Sequence, residues 1–141
     1  MVRGLDHIGI IVRDLTRAID QYQSALGLSV TRIEDYGEGL LTLAFLPIPA
    51  KGLEAAPQIE LLQPHRPNCS AWRFLEEKGE GIEHLAFRTD SIDNDLTQMI
   101  LKGIPLWDQS ARPGAEGTRI AFIDPAGLSG CLVELVELMS P

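Results

Sequence analysis

Two histidines and two glutamates recur in matched surroundings. His7 lies in Gly4-Leu5-Asp6-His7-Ile8-Gly9-Ile10 and His84 in Gly81-Ile82-Glu83-His84-Leu85-Ala86-Phe87, with like chemistry at all seven positions. Such self-similarity marks an internal repeat. Glu60 sits within Gln58-Ile59-Glu60-Leu61-Leu62 and Glu134 within Leu132-Val133-Glu134-Leu135-Val136, each an acid inside an apolar run. Glutamate is disfavoured within strands, and a buried carboxylate is costly unless it is paired or ligates a metal. Two of them at equivalent positions call for a cation, and the two histidines supply further ligands. A mixed imidazole and carboxylate set suits Co, Mn, Ni, Zn or Fe in the divalent state, with coordination positions left for substrate oxygens. A lone histidine is more often a locally bonded core residue, and the repetition is what favours ligation here. Gln58 shares a strand face with Glu60 and competes with it, Glu134 ranks above Glu60, and His65, beyond the strand, ranks below both histidines.

These side chains need elements to aim them. Asp14 can cap a helix whose apolar residues Leu15, Ala18, Ile19, Tyr22, Ala25 and Leu26 recur at helical spacing before Gly27. In the second copy Ser91 is the cap, Ile92, Leu96, Met99 and Ile100 form the stripe, and Gly103 ends it. Strands are expected at about 29 to 34, 40 to 47 and 57 to 63, then at about 105 to 109, 118 to 124 and 131 to 138. Both halves therefore read β-α-β-β-β. The modules run over about 4–64 and 80–138, and a connector over about 65–79 holds a short helix capped by Ser70. One helix covers only one sheet face, so two modules shield each other's open face. The expected fold is α+β, with two tandem βαβββ modules forming a curved mixed sheet around a metal-binding cleft.

The chain has 141 residues, 45% apolar and 23% charged, within the range of one ordinary globular domain. Its net charge of −8, with no basic stripe, argues against nucleic-acid partners. No run approaches the roughly 18 apolar residues of a membrane span, and the start lacks a signal-peptide pattern, so a cytoplasmic protein is expected. Cys69 and Cys131 stand in no C-x-x-C pair and are assigned structural roles.

The repeated His and Glu motifs resemble the vicinal oxygen chelate superfamily, which includes glyoxalase I, extradiol dioxygenases, methylmalonyl-CoA epimerases and metal-free bleomycin-binding proteins. The resemblance spans nearly the whole chain and is strongest to the methylmalonyl-CoA epimerases. It rests on Asp6-His7-Ile8, Gln58-Ile59-Glu60-Leu61-Leu62, Arg112-Pro113-Gly114-Ala115 and Leu132-Val133-Glu134-Leu135. The most specific stretch is Phe74-Leu75-Glu76-Glu77-Lys78-Gly79-Glu80-Gly81, leading into His84.

The resemblance implies one divalent metal on His7, Glu60, His84 and Glu134, an acyl-CoA thioester substrate, and a homodimer. It also implies epimerisation of methylmalonyl-CoA, or a related 2-substituted acyl-CoA, by loss and return of the C2 proton, with Glu134 as one base. Thr42 is read as the position of the family's second carboxylate, which threonine cannot replace unaided. Asp124-Pro125-Ala126-Gly127 stands where relatives carry His-Pro-Lys. Arg112, Gly114 and Arg119 are expected to contact substrate from a flexible loop. Lys51, Arg73, Lys78 and Lys102 are at most rim contacts. The rival enzyme is a glyoxalase I-like lactoylglutathione lyase. An extradiol dioxygenase would use His7, His84 and Glu134 with iron, and a metal-free antibiotic-binding protein would dispense with the four ligands.

Overall fold

The computed structural model describes residues 1–53 and 55–139. Among these the elements run β1 (Val2–Ile11), α1 (Leu15–Leu26), β2 (Arg32–Tyr36), β3 (Leu41–Pro47), β4 (Gln58–Pro64), α2 (Ser70–Lys78), β5 (Gly81–Thr89), α3 (Ile92–Leu101), β6 (Arg112–Pro113), β7 (Arg119–Ile123) and β8 (Leu132–Glu137). The β-α-β-β-β order is thus realised twice, with α2 between the copies. The fold is α+β. No helix among the described residues is long and apolar enough to cross a membrane.

Two compact units divide the chain. One comprises His7–Glu83, and the other joins Met1–Asp6 to the chain from His84 onward. In the first, the strand order is β2-β3-β4-β1. There β4 runs parallel to β1 and antiparallel to β3, which pairs antiparallel with β2. In the second, β5 pairs parallel with β8, β8 antiparallel with β7, and β7 with β6. The start of β1 is tied into this second unit by Arg88, whose Nε donates to Asp6 Oδ1 at 2.9 Å.

Local chemistry accounts for most boundaries. The Asp14 side chain accepts from the Arg17 N–H at 3.1 Å, and Gly27, at φ +69°, closes α1. α2 begins one residue earlier than expected, with Cys69 at the cap position and Ser70 already helical. Ser91 occupies the cap of α3 without a side-chain bond to the helix. The Thr89 hydroxyl accepts from the Ser91 N–H instead, at 3.2 Å. The strand expected at about 105 to 109 does not form: Leu106 makes a single bridge to Ile123. The N–H groups of Trp107 and Asp108 both donate to the Phe122 carbonyl, which breaks the ladder. The second strand of that module is the two-residue β6.

In each unit the helix lies on one face of the sheet, and strand alternation sorts the residues. Ile10, Ala44, Leu46, Ile59 and Leu61 pack with Leu15 and Ala18 of α1 in the first unit. Ala121, Ile123, Val133 and Leu135 pack with Ile92 and Leu96 of α3 in the second. The interleaved residues face away from the helices.

Candidate active site

On the face away from α1, β1 presents His7 and β4 presents Glu60. Both are buried, at 4% and 5% exposure, and His7 Nε2 lies 3.3 Å from Glu60 Oε2. The parallel register sets Gly9 beside Glu60, so the histidine stands one step back along its strand. The second unit repeats the arrangement. His84 and Glu134 are 2% and 6% exposed, with His84 Nε2 3.0 Å from Glu134 Oε2, and Ala86 takes the place of Gly9 beside the glutamate. A small residue beside each acid leaves room over it.

The antiparallel neighbour of each glutamate is a phenylalanine. Phe45 pairs with Glu60 and Phe122 with Glu134. The Phe122 ring meets His84 edge-on, with centroids 5.6 Å apart. Each pair therefore combines buried oxygen and nitrogen donors with an apolar wall, a setting in which a carboxylate requires a charged or hydrogen-bonding partner. In both units the donor types suit a divalent cation.

The arginines divide. Arg112 lies over Phe122, its guanidinium carbon 5.6 Å from the ring centroid, and is held by Asp108 at 3.2 Å. The other Asp108 oxygen accepts from the Phe122 N–H at 2.9 Å, so one acid fixes both. This puts Arg112 on the Glu134 face. Arg119 belongs to the opposite face. It bridges Asp93 of α3 at 2.6 Å and Glu137, its register partner, at 3.1 Å. The Arg119 guanidinium holds the Asp93 carboxyl below its usual range, and Asp93 in turn raises Arg119.

Thr42 is displaced in the same way. Its register partner is Gln63, and it shares a face with Ala44 and Leu46, opposite to Glu60. Its hydroxyl meets His65 Nε2 at 2.7 Å and Asp35 Oδ1 at 3.2 Å. Its neighbour Leu43, 4% exposed, is turned with Phe45 toward the Glu60 face. Gly114 is needed for close packing: a Cβ there would stand 2.5 Å from Ile120 Cγ2 and 2.6 Å from Thr118 Oγ1. Sequence reasoning passed over Phe45, Phe122 and Asp108. The signal available was the phenylalanine repeated in the strand before each glutamate-bearing strand.

Comparison with known proteins agrees with this geometry. Residues 6–122 match the model of the glyoxalase/bleomycin resistance protein/dioxygenase superfamily. The ethylmalonyl-CoA/methylmalonyl-CoA epimerase of Cereibacter sphaeroides is 30% identical over 98% of this chain and 100% of its own. A solved methylmalonyl-CoA epimerase in complex with methylmalonyl-CoA and NH4+ superposes with a TM-score of 0.92 at 31% identity, covering 99% of this chain and 97% of that one. The crystal structure of methylmalonyl-CoA epimerase from Mycobacterium tuberculosis gives 0.89 at 35% identity, over 99% and 90%. These relatives are isomerases that share the glyoxalase-like fold seen here, and the chain belongs to the glyoxalase/bleomycin resistance protein/dioxygenase superfamily.

Proposed function

We propose that the protein is an isomerase that epimerises methylmalonyl-CoA, or a related 2-substituted acyl-CoA, with the help of one divalent metal ion. The observation that carries this reading is the duplicated buried His–Glu pair, 3.3 Å and 3.0 Å across, on the helix-free face of each unit. Burial of two acids at matched registers costs stability and needs a compensating cation, which speaks against a metal-free binding protein. Likeness over the full chain to epimerases of methylmalonyl-CoA and ethylmalonyl-CoA supports the substrate class.

On this reading the modules run over about 4–64 and 80–138, and His7, Glu60, His84 and Glu134 hold the ion. The donor set fits Co, Mn, Ni, Zn or Fe. When bound, the ion supplies Lewis-acid stabilisation of negative charge on the substrate oxygens. Glu134 takes the proton from C2, a general-base role suited to a carboxylate beside an apolar wall. Arg112, steadied by Asp108, holds a substrate oxyanion through its planar fork of donors. Gly114 lets the following loop pack closely. Return of the proton on the other face needs a second group. Leu43 cannot serve, and among the described strand residues Glu34 and Glu60 are carboxylates on the helix-free face of the first unit. The enzyme is a cytoplasmic homodimer in this reading.

The test is proton exchange. Metal-loaded protein with methylmalonyl-CoA in deuterated water should wash out the C2 proton and yield both epimers, and a chelator should stop it. With Glu134→Gln, exchange should fall by roughly 100-fold to 10,000-fold while metal remains bound. Absence of exchange in metal-loaded wild type refutes the epimerase reading and turns the search to glutathione hemithioacetals.

A further inference from the structure

Where the strand expected at about 105 to 109 fails, two residues oppose one. The N–H groups of Trp107 and Asp108 donate to the single carbonyl of Phe122, at 3.0 Å and 3.2 Å. This is the pattern of a β-bulge, a device that re-aims side chains and is common next to active sites. Leu106, just before it, bridges to Ile123 and packs into the core under α3. The next side chain along turns to the other face, which is that of Glu134. Trp107 meets the Phe122 ring there, with centroids 6.1 Å apart and planes tilted by 41°.

Phe122 links this indole to the site. The register pairs Phe122 with Glu134, and its ring meets His84 at 5.6 Å. Trp107 stands one segment farther out, two inter-strand steps or roughly 10 Å from the Glu134 backbone. On the reading above, the reacting carbon lies against Glu134, so the indole is beyond that carbon and any short branch on it. What passes at this distance is the chain that carries the acyl group. Trp107 packs on Phe122 and still keeps 48% of its surface exposed. A single exposed aromatic is ordinary. This one stands on a bulge that also brings Asp108 to Arg112 and to the Phe122 N–H, so one backbone irregularity shapes both. An indole offers a large, rigid surface for methylenes and planar amides at low entropic cost.

We propose that Trp107 is a specificity-determining residue that binds the arm of the thiol carrier, the amide-bearing chain joined to the acyl group through sulfur. This deepens the acyl-CoA reading above and rests on it for the identity of the carrier. The shared chemistry is that of pantetheine and of glutathione.

Two measurements on the metal-loaded protein test it. In the first, wild type and Trp107→Ala are compared in kcat/KM for C2 proton exchange. The substrates are methylmalonyl-CoA and the S-methyl thioester of methylmalonate, which has the acyl group without the arm. Covering about 100 Å² of indole at about 25 cal/mol per Å² corresponds to a loss of roughly 10-fold to 100-fold for the CoA thioester. The S-methyl thioester should change by less than about twofold. An unchanged value for the CoA thioester overturns the proposal. Equal loss with both substrates also overturns it, because the indole then serves the acyl group or the fold. In the second, Trp72→Phe leaves Trp107 as the sole tryptophan, and acrylamide quenching of its fluorescence is followed. Methylmalonyl-CoA should shield it and methylmalonate should not. Undiminished quenching at saturating methylmalonyl-CoA overturns the proposal, and this measurement decides if Trp107→Ala does not fold or the S-methyl thioester does not react. Should wild type neither bind nor turn over methylmalonyl-CoA, the acyl-CoA reading fails on its own, and S-methylglutathione becomes the quenching probe. Shielding of Trp107 then upholds the carrier platform, and no shielding overturns it.

Discussion

Replacing both His7 and Glu60 with leucine should make the metal-free protein at least as stable as wild type while removing its response to metal. The two side chains are almost fully buried and 3.3 Å apart. On that face Phe45 lies beside Glu60, with Leu43 and Leu62 one step along, and Gln58 is the register partner of His7. Exchange of a buried ionisable pair for hydrophobic residues of similar volume is neutral or stabilising by about 1–4 kcal/mol. Removing only the histidine leaves a buried carboxylate without that partner and costs about 3–5 kcal/mol. For a domain of this size a melting midpoint moves roughly 2–4 °C per kcal/mol. His7→Leu alone should therefore melt roughly 6–20 °C below wild type, and His7→Leu/Glu60→Leu at or above it. Urea and thermal unfolding in chelator measure the series. A divalent ion at a hundred times its dissociation constant should then add about 2.7 kcal/mol to wild type and little to the double variant. A double variant as unstable as the single one, or one stabilised by metal as wild type is, would refute the argument that these groups are kept for ligation rather than stability.

Gly114→Ala should destabilise by about 1–3 kcal/mol through overpacking, since its Cβ would meet Ile120 and Thr118 below 3 Å, and Ile120→Ala in the same chain should recover part of the loss in urea unfolding. Asp93, its carboxyl held low by Arg119, should titrate below a free aspartate in carbonyl NMR and return to the ordinary range in Arg119→Met. Because its folded value is depressed, the stabilisation is present above the unfolded pKa of about 3.9 and is lost as pH falls through the folded value. The difference in stability between wild type and Arg119→Met should accordingly shrink on acidification below about pH 4. Asp108→Asn should weaken the hold on Arg112 and raise KM more than it lowers kcat, measured by coupled assay, and equal loss in both would point to a different role.

The sequence alone determined the repeat, the α+β class and the repeated buried polar residues His7, Glu60, His84 and Glu134, though not the buried Thr89. The reason is that a histidine or glutamate inside an apolar run is conspicuous, and its duplication at the same place in a module removes coincidence. Helix boundaries at Asp14 and Gly27 were legible because capping is local chemistry. Which way a side chain faces was legible only where polar and apolar residues alternate. Leu40-Leu41-Thr42-Leu43-Ala44-Phe45-Leu46 is apolar on both faces, so no alternation distinguishes Thr42 from Leu43, and a one-residue error moved the assignment to the wrong side of the sheet. An arginine at a strand start near a glycine-containing loop looks like a substrate contact, and its bridge to Asp93, distant in sequence, shows only in the tertiary structure. The row of Arg32, Phe45 and Glu60 exists only once three strands are in register. Pairing between strands is a tertiary choice, and it decides which residues become neighbours across the sheet.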